Sequence, residues 1–536
     1  MSTLPHLSRL YADFAALPDT PAASVLWRWY GENSGPQARI ARAPLYPAHQ
    51  LAKLLDRQAE RFGAGPQQRS NIDKLRAGAR AIVTGQQVGL FGGPLLTLLK
   101  AGTAVSRARQ ASEQTGIDHV PVFWLATEDH DLAEVDQVSL SGHKEVETLS
   151  LGLRSHGTEV GALCLGASVE PLLERACALL GEAPICDLLR RCYTPTETLG
   201  SAFAQFITAL FAPHGLIVMD ASGREFHALG ASTLRTAIER ADELEAALLA
   251  RTSELEAAGY TAQVLVRPGN SLLFLLDEKT AQRQPLRRQP DGAWRAGPHS
   301  FSTADLLAIL ETSPERLSPN ALLRPLFQDT ILPTAAYIGG PAEIAYFAQC
   351  GALYEGIFGA GKITPVLPRF SATLIPPSAG RLMKRYELTL PDLWAAGTAD
   401  VLAQRLGARA MPIEGKRKLA ATGNAMDSEL TALTGYLGSL DPDLGRSALV
   451  SASKMRYQMN RLRRMAANFE LEKQAALAKH ASSLMQTVYP GGHLQERVLA
   501  GISFLAQENE PDALISRLIE AASDRCPGHS VLSLPG

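Results

Sequence analysis

The chain has 536 residues, 46% of them hydrophobic and 20% charged, with a net charge of −2. That length exceeds one ordinary core and predicts two or more globular units, while the near-neutral charge gives no reason to expect a nucleic-acid partner. No apolar run approaches the roughly 20 residues that span a bilayer, the first residues lack a signal-peptide core, and the six cysteines (164, 177, 186, 192, 350, 526) form no Cys-x-x-Cys pair, so the expectation is a reduced, cytoplasmic protein with neither a zinc site nor a disulfide framework.

Residues 1 to about 80 read as mainly helical. Ala81-Ile-Val83 is short and apolar, as a strand buried on both faces would be. A glycine-rich stretch, Thr84 to Pro94, follows it. A helical segment runs from about Leu95 to Gln114, and Val120 to Ala126 is a second apolar strand. This is the pattern of a β-α-β unit, which delivers functional groups where strands end. Residues 140–215 carry little pattern beyond a helical period at Ala202–Leu210. Leu216–Asp220 predicts a third strand, and Leu229–Ala258 one long helix. Gln263–Val266 and Ser271–Leu276 flank Arg-Pro-Gly-Asn and predict a β-hairpin. Pro290-Asp-Gly292 marks another turn before Ala293-Trp-Arg295, so a small β-containing insertion is expected. Ile331–Tyr337 is apolar, Gly339-Gly-Pro341 is a breaker, Ala342–Cys350 predicts a helix, and Thr364–Arg369 is extended. The class is α/β.

The last third changes character. Met426, Leu430, Leu433, Leu437 and Leu440 are spaced 4-3-4-3, a heptad seam. Asp441-Pro-Asp-Leu-Gly445 breaks it, and Met455, Met459, Leu462, Ala466 and Phe469 form a second stripe. Two such runs joined by a breaker predict an antiparallel helical hairpin ending near Tyr489-Pro490. Arg456, Arg461, Arg463, Arg464 and Lys473 read as its solvated face.

Three clusters carry candidate chemistry. Thr84-Gly85-Gln86-Gln87 leads into Gly89, Gly92 and Gly93. Such a loop opening a helix either cradles an anion with backbone N–H groups or serves only a tight turn. Adjacent Gln86 and Gln87 favour ligand contact. Lys100, in the next helix, reads as a surface lysine rather than a phosphate contact. Glu128-Asp129-His130-Asp131 directly follows the second strand. Clustered carboxylates perturb one another's proton affinity, His130 suits a general base toward an amine, and the acids could hold magnesium together with substrate phosphates. A helix cap from Thr127 or Asp129 is the plainer alternative. Arg324, Gln328, Glu343 and Arg369 form the third cluster, the arginines as bidentate clamps for carboxylate or phosphate and Glu343 alternatively as a cap.

Together these segments resemble one family, the BshC cysteine ligases of bacillithiol biosynthesis. The matching stretches are 84–94, 121–131, Arg-Pro-Leu-Phe-Gln-Asp-Thr-Ile-Leu-Pro (324–333), Gly-Gly-Pro-Ala-Glu-Ile-Ala-Tyr (339–346), Pro-Arg-Phe-Ser (368–371) and Tyr-Pro-Gly-Gly-His-Leu-Gln-Glu-Arg (489–497). The resemblance implies a Rossmann-like core over 1–390, with inserted segments at about 140–215 and 225–318. It also implies a coiled-coil domain at 391–490 supporting a homodimer through the 414–486 hairpin, and a return segment at 491–536. The implied activity joins the carboxyl group of cysteine to the amine of glucosaminyl-malate. ATP is implied as the activating substrate, with Mg2+. Glu128, Asp129, His130 and Asp131 become the reaction centre, and Thr84, Gly85, Gln86, Gln87, Gly92, Gly93, Arg324, Gln328, Glu343 and Arg369 bind substrate or nucleotide. No metal is assigned to the protein's own side chains, and its cysteines read as structural. The His-x-Gly-His and Lys-Met-Ser-Lys-Ser signatures of class I aminoacyl-tRNA synthetases are absent; Ser451-Ala-Ser-Lys-Met455 is only a faint echo. Two rival readings remain: another nucleotide-dependent α/β transferase, and a non-catalytic coiled-coil scaffold for a separate ligase.

Overall fold

The computed structural model describes residues 5, 7–16, 23–31, 48–141, 145–155, 157–473, 475–524 and 528–535. Cys526 and parts of the helical expectation for residues 1–80 lie outside them. The chain divides into two compact units. One comprises residues 1–142, 147–373 and 496–531, and the other 143–146, 374–495 and 532–536.

In the first unit, helices α1 (Ala48–Phe62) and α2 (Pro66–Arg76) precede β1 (Arg80–Gln87). α3 (Leu96–Thr115) and β2 (His119–Ala126) complete the β-α-β unit. α4 (Leu199–Leu210) leads to β3 (Ile217–Asp220). Two helices, α5 (Arg224–Glu239) and α6 (Ala241–Ala257), stand where one was expected across 229–258. Arg240 leaves helical dihedrals, and its guanidinium turns to Glu243 and to the Gly356 carbonyl. Asp242 and Glu243 then favour the positive end of a new helix dipole.

β4 (Asn270–Leu276), β5 (Arg283–Arg288), β6 (Trp294–Ala296), β7 (His299–Phe301) and β8 (Leu317–Pro319) form an antiparallel sheet in the order β8-β4-β5-β6-β7. The hairpin expected from 263–266 and 271–276 is not formed. The Gln349 side chain donates to the Val264 carbonyl and accepts from its N–H, taking both ladder groups of that residue. β4 pairs with β5 instead. The expected turn at Pro290–Gly292 does connect β5 to β6. α7 (Arg324–Ile331), β9 (Thr334–Gly339), α8 (Pro341–Phe358) and β10 (Val366–Pro368) follow.

The main sheet has the order β10-β9-β1-β2-β3, parallel throughout. Ala81 and Val83 pack into the large core on one face, with Val122, Trp124 and Met219. Ile82 faces the other way, against Ala104, Ala108 and Ala111 of α3. This two-sided burial is why these strands are continuous apolar runs. From β1 the chain winds outward through β2 to β3, and later lays β9 and β10 on the opposite side of β1. The winding direction therefore reverses between β1 and β9, where the carboxyl ends of a doubly wound sheet open a crevice.

The second unit contains α9 (Ala399–Ala410), α10 (Ile413–Leu440), α11 (Pro442–Lys473) and α12 (Ala475–Val488). Asp441 ends α10 in extended backbone and caps α11 by accepting the N–H groups of Asp443 and Leu444, with Pro442 as first helical residue. α10 and α11 form the expected hairpin, but of the two seam stripes only Leu430 and Met459 are fully buried. Gly423, Leu430, Gly445, Ala452 and Met459 are buried, whereas Leu433, Leu440, Met455, Leu462 and Phe469 are exposed. Near the tip the arms meet backbone to backbone: a Cβ added to Gly445 would stand 2.7 Å from the Gly438 Cα. Small residues set the approach, and bulky seam residues are left pointing outward. Among the described residues no helix is long and apolar enough to cross a membrane.

Candidate active site

A crevice of about 700 Å³ opens at the carboxyl ends of the main sheet, in the first unit. Gly85, Gln86 and Gln87 end β1 in its floor, the turn after β2 brings Glu128, Asp129 and His130, and the start of α8 brings Gly340 to Glu343. Its two ends differ in charge.

The basic end is built on a buried ion pair. Lys100, expected at the surface, is only 4% exposed. Its Nζ donates to the Gly85 carbonyl (2.7 Å) and Gln86 Oε1 (2.9 Å), and lies 2.5 Å from Glu343 Oε2. Glu343 also accepts the Tyr337 hydroxyl (2.6 Å) and the Gly340 N–H (2.8 Å), so its capping role and its place in the crevice coincide. Burial holds the Lys100 ammonium below the ordinary lysine value. Burial also works against the Glu343 charge, but Lys100 and these hydrogen bonds outweigh it and keep the carboxyl below its usual range. Arg324 donates to Gln328 (3.0 Å) and lies over the Tyr337 ring at 5.2 Å, while its Nη2 has no hydrogen-bond partner. Arg369 Nη2 is 2.5 Å from Glu496 Oε1, and Arg497 completes the lining. Four cations thus face two carboxylates. The first turn of α8 adds N–H groups of Ala342 and Glu343 that have no intrahelical acceptor.

At the acidic end, Asp129 accepts the Gln87 amide (2.7 Å) and the His130 N–H (2.7 Å). The His130 ring stands 5.7 Å from Phe274, with its Nδ1 3.7 Å from Asp129 and 3.4 Å from Arg283. Glu128 Oε1 lies 2.9 Å from Nε2 of His227, a fully buried residue of α5. The two atoms are off hydrogen-bond alignment, so their attraction is chiefly ionic. Burial disfavours the His227 charge, yet Glu128 raises its proton affinity above the ordinary histidine value. Burial, followed by repulsion from Glu128, pushes Glu159 up to about 7.

Other sequence candidates sit elsewhere. Thr84 is buried and donates to the Ile338 carbonyl, clamping β1 to β9. Gly92 has φ +86, gives its N–H to the Tyr193 hydroxyl, and has no room for a Cβ, which would lie 2.5 Å from Phe206. Gly93 gives its N–H to the Leu90 carbonyl, and Leu95 to that of Leu499. These three amides are therefore engaged within the protein, and Gly92 and Gly93 do not line the crevice. Gln328 is buried behind Arg324, and exposed Asp131 is not in the lining. Among the described residues no group of three or more His, Cys, Asp or Glu side chains could hold a metal ion. His227, Glu159, Arg283 and Tyr337 were not found by sequence reasoning, since none sits in a motif with its partner.

Residues 30–370 match the family profile described as Bacillithiol biosynthesis BshC, N-terminal Rossmann-like domain, and residues 372–534 match its C-terminal coiled-coil domain. The profile boundary agrees with the compact units at about 372, but residues 496–531 pack with the first unit. Proteins named "Putative cysteine ligase BshC" from Koribacter versatilis and Solibacter usitatus are 38% and 35% identical, each over 99% of this chain and 98% of its own length. One of the same name from Salinibacter ruber is 32% identical over 90% of this chain and 88% of its own. On two domain profiles in order and full-length identity of this size, the chain belongs to the BshC family of bacillithiol biosynthesis.

Proposed function

We propose that the crevice joins the carboxyl group of cysteine to the amine of glucosaminyl-malate, with a nucleotide activating the carboxylate. The carrying observation is the segregation of charge along one crevice. The acidic end, Glu128 and Asp129, suits a cationic amine. His130, exposed beside them, is placed to take the proton that the amine loses as it attacks. The basic end, with Arg324, Arg369, Arg497 and the first-turn amides of α8, suits carboxylates and phosphate, and would stabilise negative charge developing on an acyl group. Gln87 positions Asp129, and Gln86 orients Lys100. The side chains do not converge as a metal cage, so a magnesium ion in this reading travels with the nucleotide's phosphates.

The exposed seam residues of α10 and α11 support self-association of two copies through the helical hairpin, since isolated chains rarely present such a stripe to water. The test of activity is reconstitution with glucosaminyl-malate, cysteine, ATP and magnesium, following thiol product and AMP or ADP by mass-resolved chromatography. Product that is lost in Asp129→Asn and His130→Ala supports the ligase. Nucleotide turnover without cysteine points to another transferase. No product from a folded protein, with normal cellular thiol in the His130→Ala strain, points to the scaffold.

A further inference from the structure

We propose that buried His227 is an imidazolium paired with Glu128 across 2.9 Å, and is the positioning residue that aims it. This deepens the reading of the acidic end given above.

His227 Nδ1 lies 3.0 Å from the Leu317 carbonyl oxygen, which can only accept, so Nδ1 carries a proton. Nε2 lies 2.9 Å from Glu128 Oε1. A neutral ring with its proton on Nδ1 would set a nitrogen lone pair against a carboxylate oxygen, which is repulsive. A proton on Nε2 relieves that repulsion, giving an imidazolium beside the carboxylate, an ionic contact rather than an aligned hydrogen bond. Turning the ring over would put carbon against both oxygens. Water cannot relieve the ring, because His227 is 0% exposed.

The surroundings favour the ionic form. Glu128 reaches His227 from the turn after β2, the Leu317 carbonyl from β8, and Glu159 from the segment before Val160; all three attract positive charge. The Phe327 ring of α7 packs against the imidazole at 5.2 Å. Arg283 opposes them from β5, near Glu128 and Glu159. Placement of the ring is built in. Gly230, one turn along α5, admits Phe327 so closely that a Cβ would fall 2.1 Å from its ring.

The pair can be tested without substrate. Protein labelled with 15N-histidine is titrated by NMR, the His227 signals being assigned by their loss in His227→Gln or, should that variant not fold, by elimination using substitutions of the other histidines. The expected wild-type result is both ring nitrogens protonated at neutral pH, with a midpoint above that of ordinary histidine. Glu128→Gln leaves burial acting alone, so the midpoint should fall by about 1–3 pH units, while Nδ1 keeps its proton in the neutral ring. A neutral ring at neutral pH, protonated at either nitrogen, or a midpoint unmoved in Glu128→Gln, overturns the pair. Because no turnover is measured, either result leaves the ligase reading to its own reconstitution test.

Discussion

Glu159 offers the sharpest test of the electrostatics at the acidic end. Its carboxyl group is pushed from the ordinary 4.5 to about 7, first by burial and then by Glu128. The folded protein thus binds a proton there that the unfolded chain releases between those values. The group contributes stability fully below about pH 4.5, and that contribution is lost as pH rises through about 7. At about 1.4 kcal/mol per unit, the ceiling is about 3.5 kcal/mol; solvent screening of a partly exposed side chain reduces it to about 2 kcal/mol. Glu159→Gln mimics the protonated form. It should leave stability nearly unchanged near pH 4 and raise it by about 2 kcal/mol near pH 8.5. Urea unfolding followed by tryptophan fluorescence reads this. Trp27, Trp29, Trp124 and Trp294 belong to the first unit and only Trp394 to the second, so a Trp394→Phe background isolates the relevant transition. An equal shift at both pH values, or destabilisation near pH 8.5, would refute the claim that burial beside Glu128 controls this carboxyl group.

Lys100→Met should cost about 3–5 kcal/mol in urea unfolding, because Glu343 is left buried without its counter-charge, and adding Glu343→Met should recover a large part of it. Gly92→Ala should destabilise by about 1–3 kcal/mol through positive φ and the clash with Phe206, whereas Gln87→Ala should leave stability within about 1 kcal/mol and weaken amine-substrate use in the reconstituted reaction. On the self-association proposed for the hairpin, wild type should sediment as a dimer and Leu433→Glu combined with Phe469→Glu as a monomer with unchanged helix content by circular dichroism; a monomeric wild type, or a dimer unaltered by the substitutions, would refute association through this face.

How far the sequence could be read depended on where each residue's partner lies along the chain. The β1-α3-β2 unit was legible because its strands, covered on both faces, are continuous apolar runs punctuated by glycine and acids. The acidic turn was legible because its residues are contiguous. The misread hairpin at 263–276 had a strong local turn signal, but the group that satisfies Val264 is Gln349, far along the chain on α8. Lys100 was misread for the same reason: a single lysine on a helix defaults to solvent, and only Glu343, delivered after β9, makes its burial tolerable. The heptad seam was real as a pattern, yet glycine and alanine at the arm contact determined which side of each helix met its neighbour. The crevice repeats one arrangement throughout. Gln87 with Asp129, Lys100 with Glu343, Glu128 with His227, and Arg369 with Glu496 each join residues brought together only by tertiary structure. Gln87, Asp129, Arg369 and Glu496 lie in motifs but pair across different ones, whereas Lys100 and His227 lie in no motif, and the fold supplies every pairing. Substituting the remote members should therefore alter the protonation and orientation of the motif residues more than it alters the shape of the crevice.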